Sequence, residues 1–282
     1  MKIIFYCLNF SPEKVGVGKY NGELVNFLND KGHQVNVITS QKYYPDWQLK
    51  NNKYEYDKNY SFKVYRCPIY VCKNPSGIKR ILHLISFAIT SFPVLMSQLK
   101  WKPDALILIA PTIACSINVF FFKLLAKKTF FTLLHIQDFE IEAAFDLKIL
   151  NFSLLKNILI QIESFILNKF HFISTISNGM INRLISKGVE KSRIYFFPNW
   201  VDTNKIKNIS LIYKNKNFYR NKLKISDKTT VIQYAGTVNK KTGISFLKPI
   251  FKYFDGNKNI LWLFACDGPS KKDLVELTKN IS

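Results

Sequence analysis

The sequence predicts an α/β protein with doubly wound, parallel sheets in two domains. Three observations predict it. Short apolar runs alternate with longer stretches of helical periodicity, as strand–helix repeats require. A glycine-bearing loop joins the first run to the first helix, and the same pattern starts again after Pro198.

The elements follow in order. Ile3–Leu8 is a continuous apolar run too short for a helix, as expected of a strand covered on both faces. After the loop Ser11–Gly18, Leu24, Val25, Phe27 and Leu28 mark the inner face of a helix that Gly32 stops. Val35–Thr39 is the second strand, which completes a βαβ unit. Ala105–Ile109, Phe130–Leu134 and Phe172–Thr175 read as further strands, with helices around 113–126 and 151–169 between them. Ser177-Asn178 caps a helix through Ser186, and Arg193–Phe197 is a short strand stopped by Pro198. Residues 1–200 thus form one doubly wound domain. Lys205–Lys228 carries eight basic residues and one acid, Asp227, and reads as a solvated connector with a short helix at Phe218–Leu223. The pattern then resumes with strand Thr230–Ala235, loop Gly236–Gly243, helix Ile244–Phe254 and strand Ile260–Ala265. Residues 201–282 are expected to be part of a second Rossmann-like domain, at which the chain stops partway.

Composition narrows the function. Hydrophobic residues make up 48% and aromatics 15%, which excludes a disordered tail. The balance of 41 Lys+Arg against 19 Asp+Glu gives a net charge of +22, yet only five of the basic residues are Arg. Specific base and phosphate recognition leans on Arg's bidentate fork, so no nucleic-acid partner is expected. Five scattered cysteines with no C-x-x-C pair argue for reduced thiols in the cytoplasm, and against a disulfide framework or a zinc site. Ile81–Leu99 carries no charged residue and is flanked by Lys79-Arg80 and Lys100. A helix lying on an anionic membrane fits it, while a buried helix and a true span remain open.

Four clusters could carry chemistry. Gly16 and Gly18 open the first helix, where backbone N–H groups and the helix dipole suit an anion; a tight structural turn would use the same glycines. His135 ends the strand beginning at Phe130, beyond which open α/β sheets bind ligands, although histidines at strand ends are often structural. Asp138 and Glu140 follow; they read as a charged helix start or, with less support, as a two-carboxylate metal site. Gly236–Gly243, with Lys240 and Lys241, suits a diphosphate or is a solvated turn, and lacks the Walker order.

Together these residues resemble the GT-B glycosyltransferases of family 4, in particular the colanic acid and exopolysaccharide group. The resemblance rests on Leu8–Glu13 with Gly16-x-Gly18-Lys19-Tyr20, Tyr43-Tyr44-Pro45-x-Trp47, His135-x-Gln137-Asp138-Phe139-Glu140 with Ala143-Ala144-Phe145, Ser174–Ser177, and Pro198–Asp202. It runs from Met1 to about Lys271.

The resemblance implies metal-independent, retaining transfer of a sugar from a GDP- or UDP-linked donor to a lipid-linked saccharide, with no cofactor. The reaction would take place at the inner face of the cytoplasmic membrane, in a cleft between an acceptor-side and a donor-side domain. It assigns His135 and Asp138 to the reacting sugar, Gly16, Gly18, Thr237 and Lys241 to the donor and its phosphates, and Tyr20 to the acceptor; no metal ligand is implied. Relatives continue for well over a hundred residues, through a paired-glutamate donor-binding segment, and often carry Asn or Arg where Thr237 stands. The expectation is therefore weak or absent turnover by this polypeptide alone. The alternative is a non-catalytic remnant that binds acceptor or partner.

Overall fold

A computed structural model describes residues 1–13, 16–73, 77–110, 113–139, 153–204, 206–207, 218–239 and 242–279. The chain divides into two compact units, Met1–Trp200 and Val201–Ser282.

In unit 1 the strands are β1 (Lys2–Cys7), β2 (Gln34–Ser40), β3 (Glu55–Asp57), β4 (Lys63–Cys67), β5 (Ala105–Ile109), β6 (Phe131–Ile136), β7 (Phe172–Thr175) and β8 (Ile194–Phe196). They form one sheet in the order β3-β4-β2-β1-β5-β6-β7-β8, parallel throughout except for β3 against β4. The helices are α1 (Gly16–Asp30), α2 (Ile78–Ser97), α3 (Ile113–Leu125), α4 (Ser153–Leu167) and α5 (Asn178–Ser186). The chain moves outward from β1 to β4 and then returns to place β5 on the other side of β1. That reversal opens a crevice beyond the carboxyl ends of β1 and β5, where sheets of this class bind ligands.

The apolar run in β1 has a simple cause. Ile3, Phe5 and Cys7 enter one buried cluster with Val25 of α1, while Ile4, Tyr6 and Leu8 enter the other with Phe87, Leu95 and Phe122 of α2 and α3. Helices cover both faces, so neither side of the strand can be polar. Phe5 and Tyr6 are fully buried, which is worth roughly 1.5–3 kcal/mol for a phenyl-sized group. Tyr6 keeps its hydroxyl bonded to Ser91, and Asn118 donates to it at 2.9 Å, tying β1 to α2 and α3.

The apolar segment Ile81–Leu99 is α2 and its short 3-10 extension. By length and composition α2 could cross a membrane. Its inner face, however, is built into the sheet core through His83, Phe87, Ser91 and Leu95, spaced four apart. Its outer face exposes Ile78, Leu82, Ile85 and Ile89.

Two strands of unit 1, β3 and β4, go beyond the sequence reading. In β4 the residue Arg66 is 1% exposed, its Nε donating to Asp57 at 2.7 Å and its Nη2 to the Ser11 carbonyl at 2.7 Å. A buried ion pair replaces the apolar signature by which a strand is recognised.

Unit 2 contains α6 (Phe218–Lys222), β9 (Thr230–Thr237), α7 (Leu247–Tyr253), β10 (Ile260–Asp267) and α8 (Lys271–Thr278). β9 and β10 pair in parallel from Thr230–Ile260 to Thr237–Asp267. Val238, Phe251 and Leu274 form a small core with Trp262 and Phe264. Gly268 fits closely here: a Cβ on it would lie 2.4 Å from the Val238 carbonyl oxygen. Of the cysteines, Cys7, Cys67 and Cys115 are buried in unit 1, Cys72 is half-buried there, and Cys266 is half-buried in β10.

Candidate functional site at the carboxyl edge of unit 1

The carboxyl edge gathers the β1–α1 loop, the end of β6, the β7–α5 turn and the segment after β8. Gly16 begins α1 exposed and at a positive φ of 64°, so the helix starts in a conformation that glycine adopts freely. Gly18 is different. It is buried, and a Cβ there would stand 2.3 Å from Glu13 Oε2 and 2.8 Å from Glu13 Cβ. The second glycine is thus needed for packing against a buried carboxyl, a requirement that the phosphate reading of the loop did not include.

Glu13 is itself absent from the sequence-based site. Its Oε1 accepts from Asn9 Nδ2 at 3.2 Å, Asn9 Nδ2 also donates to Tyr43 Oη at 3.1 Å, and Tyr43 Oη bonds His83 Nε2 at 3.1 Å. A buried polar chain therefore runs from the head of α1 to the inner face of α2. Burial pushes the Glu13 carboxyl up to about 7, against the opposing pull of Asn9 and Arg66. Burial also raises Tyr43 and lowers His83, leaving both neutral at physiological pH. At the Arg66 pair, burial opposes ionisation, but the guanidinium hydrogen bond outweighs it and holds Asp57 at about 2.

β6 runs on to Ile136, so His135 lies inside the strand and not at its end. It is 4% exposed, opposite Ser174 in the ladder, and its Nδ1 bonds Ser174 Oγ at 2.9 Å. Burial lowers its pKa to about 4, so the imidazole is neutral at pH 7 and presents a dipole, not a charge. The Ser174–Ser177 motif is thereby explained. Ser174 orients His135, Thr175 Oγ1 donates to the Ile136 carbonyl at 2.9 Å, and Ser177 caps α5 by accepting from the Met180 N–H at 3.2 Å. Asp138 is exposed on the turn after β6, and Phe139 beside it is buried under Lys187 Nζ, 5.4 Å from the ring centre. Glu140 lies outside the described residues, among which no cluster of three or more metal-ligating side chains occurs.

Tyr20 joins the same edge through aromatic contacts. Its ring meets Trp200 at 5.3 Å, Trp200 meets Phe197 at 5.7 Å, and Phe197 meets His135 at 5.6 Å. Trp200 Nε1 donates to Glu23 of α1 at 2.7 Å. The residues after β8 thus come back over β6 to α1, bringing Gly16, Tyr20 and His135 to one edge.

In unit 2, β9 extends through Gly236 and Thr237, which the sequence reading placed in the loop. Thr237 is exposed, and its carbonyl accepts from Tyr234 Oη at 2.9 Å. Lys240 and Lys241 lie outside the described residues. A cavity of about 250 Å³ beside this loop is lined mainly by apolar groups such as Ile232, Trp262 and Phe264.

Comparison with known proteins agrees with this architecture. Residues 15–200 match the profile of the glycosyl transferase 4-like domain. The chain is 39% identical over 252 residues to WcaI of Escherichia coli (strain K12), a candidate colanic acid biosynthesis glycosyl transferase, covering 86% of this chain and 60% of WcaI. It therefore spans about 60% of the length of the curated relative that it matches. Among solved structures, the catalytic domain of starch synthase IV from Arabidopsis thaliana, bound to ADP and acarbose, superposes with a TM-score of 0.64 at 13% identity, covering 98% of this chain and 70% of that one. UDP-GlcNAc 2-epimerase from Neisseria meningitidis, bound to UDP-GlcNAc, gives 0.57 at 13% identity, covering 100% of this chain and 71% of that one. At such identities the structures speak to fold alone, and the fold is α/β of the GT-B type. The profile match covers most of the chain, which belongs to the glycosyl transferase 4-like domain family.

Proposed function

We propose that this chain transfers a sugar from a GDP- or UDP-linked donor to a lipid-linked saccharide in bacterial surface-polysaccharide synthesis, by a retaining, metal-independent reaction. The observation that carries the reading is the 39% identity to WcaI over 252 residues. The geometry of unit 1 supports it. The head of α1 would offer N–H groups to a phosphate or acceptor, neutral His135 and the exposed Asp138 three residues on would serve the reacting sugar, and Tyr20, packed against Trp200 at the same edge, would serve the acceptor. In unit 2, Thr237 and Lys241 serve the donor, and a lysine there would stabilise charge on the departing diphosphate. The domain roles follow: 1–200 on the acceptor side and 201–282 on the donor side.

The reading also places the chain peripherally on the inner face of the cytoplasmic membrane. Ile78, Leu82, Ile85 and Ile89 of α2 form an exposed stripe, Phe92 meets Phe121 of α3 at 6.0 Å, and α3 continues the surface with Ile117, Phe121 and Leu124. Lys79, Arg80, Lys100, Lys127 and Lys128 are exposed around it, a combination suited to anionic lipid. Flotation with phosphatidylglycerol vesicles is expected to be lost in an Ile89→Asp, Leu124→Asp double variant.

The purified chain should be incubated with UDP- and GDP-sugars, membrane lipid extract and EDTA, reading glycolipid and nucleotide diphosphate together. Glycolipid formation supports transfer and overturns the expectation of weak or absent turnover by this polypeptide alone; donor binding by calorimetry without product favours a non-catalytic binding module; and absence of donor binding overturns both the transfer and the donor assignments.

A further inference from the structure

Two buried side-chain atoms among the described residues have no hydrogen-bond partner, Glu13 Oε2 and Arg193 Nε. The first is informative because of where it lies. Glu13 is 8% exposed, and its unpartnered oxygen points at the first turn of α1, 2.3 Å from where a Gly18 Cβ would be. The first-turn N–H groups of this fifteen-residue helix form a terminus that attracts negative charge. An ionised Glu13 would share the same poorly solvated turn with any anion docked there, and the two like charges would repel.

We propose that an anionic group, phosphate-like in charge, docks at the N-terminus of α1 with uptake of one proton by Glu13. The proton comes from solvent and binds Oε2, neutralising the carboxyl as the anion arrives; no other bond is made or broken. The groups facing Glu13 leave it this role. From β1 comes Cys7, and from the segment after β2 come Tyr43 and the Tyr44 backbone, with burial raising the thiol and the Tyr43 phenol so that both stay neutral. Arg66 of β4 is committed to Asp57, which Lys42 also approaches at 3.3 Å, and to the Ser11 carbonyl. His83 and Arg80 of α2 connect to Glu13 through Tyr43. From α1, Gly18 and Gly22 pack against the loop without charge, and Lys19 lies 4.0 Å from Glu23. With the carboxyl held up at about 7 by burial, the exchange falls at neutral pH.

The inference rests on the anion-binding reading of this loop, but not on transfer itself. The test uses sulfate, whose charge is constant over the range, and the Gly16 and Gly18 amide resonances of the labelled chain. In the wild type the apparent Kd should rise about tenfold from pH 6 to pH 8, as a pKa near 7 dictates. In Glu13→Gln it should stay flat. A second reading needs no variant: the Glu13 carboxyl ¹³C titration should move to higher pH when sulfate is added. An equal pH dependence in both proteins, an unmoved carboxyl titration, or no sulfate response at these amides at pH 6 overturns the proposal. Proton-linked sulfate binding in a chain that makes no glycolipid would sink the transfer reading and leave this one standing.

Discussion

Two strand-to-helix junctions in the molecule look alike in sequence and differ in construction. After β1, a glycine-bearing loop leads into α1 and rests on a sealed interior: Gly18 presses on Glu13, and Glu13 is wired through Asn9 and Tyr43 to His83. After β9, a glycine-bounded loop leads toward α7 from an exposed Thr237, over a core of only three fully buried apolar side chains among the described residues. The first junction constrains Gly18 from below, through the protein. A glycine in a βα loop is therefore no sign by itself that a ligand approaches; the question is what its missing Cβ would strike.

The contrast can be broken most forcefully at the ion pairs. Arg66→Leu leaves buried Asp57 with Lys42 as its remaining cation among the described residues and with Asn59 on Oδ1, and should cost about 4 kcal/mol in urea denaturation, the scale for breaking a buried ion pair. The matching change in unit 2, Asp267→Asn, removes an exposed pair with Lys271 and should leave the midpoint unmoved. Next in size is the pH dependence set by Glu13. Its folded pKa is raised, so its contribution is fully present below the unfolded value of 4.5 and is lost as pH rises through about 7. The loss approaches about 3 kcal/mol, and Glu13→Gln should flatten that slope between pH 5 and pH 8. His135 acts in the opposite sense. Its pKa is lowered from 6.5 to about 4, so its contribution is lost as pH falls through that window.

Smaller effects sharpen the same comparison. Gly18→Ala forces Glu13 aside and should cost about 2 kcal/mol, whereas Gly256→Ala in unit 2, at φ 76° with nothing within 4 Å, should cost about 1 kcal/mol through backbone strain alone. Smallest are the caps. Ser177→Ala removes the bond from the Met180 N–H and should cost about 1 kcal/mol; Ser270→Ala, at a helix start with no such bond, should cost a few tenths. Midpoints from urea titrations of each variant decide both pairs.

From the apolar runs, the sequence reading located β1 and β5 to within a residue, because strands covered on both faces must be continuously apolar. It passed over β4, where Lys63 and Arg66 interrupt the pattern, and β3, whose three residues include the Asp57 partner. At the carboxyl edge, the strand–loop–helix pattern put Gly16 and His135 where the fold has them, and Tyr20 entered through the family resemblance. Glu13 was not legible, because a lone acid in a polar loop reads as solvated until the fold buries it. Ser177 offered a usable signal as a cap, but Asn9, Tyr43 and His83 are joined only across 74 residues of intervening chain.

The buried thiols provide a clock for unit 1. Cys7 and Cys67 carry pKa values raised by burial, the latter to about 12, so in the folded state they are protonated, covered and inert to alkylation. With half-buried Cys72 and Cys266 both replaced by serine, the labelling of Cys7, Cys67 and Cys115 would count openings of unit 1 alone. One pulse of alkylating reagent, followed by peptide mass spectrometry, would then show whether the surroundings of the three thiols open together or in succession.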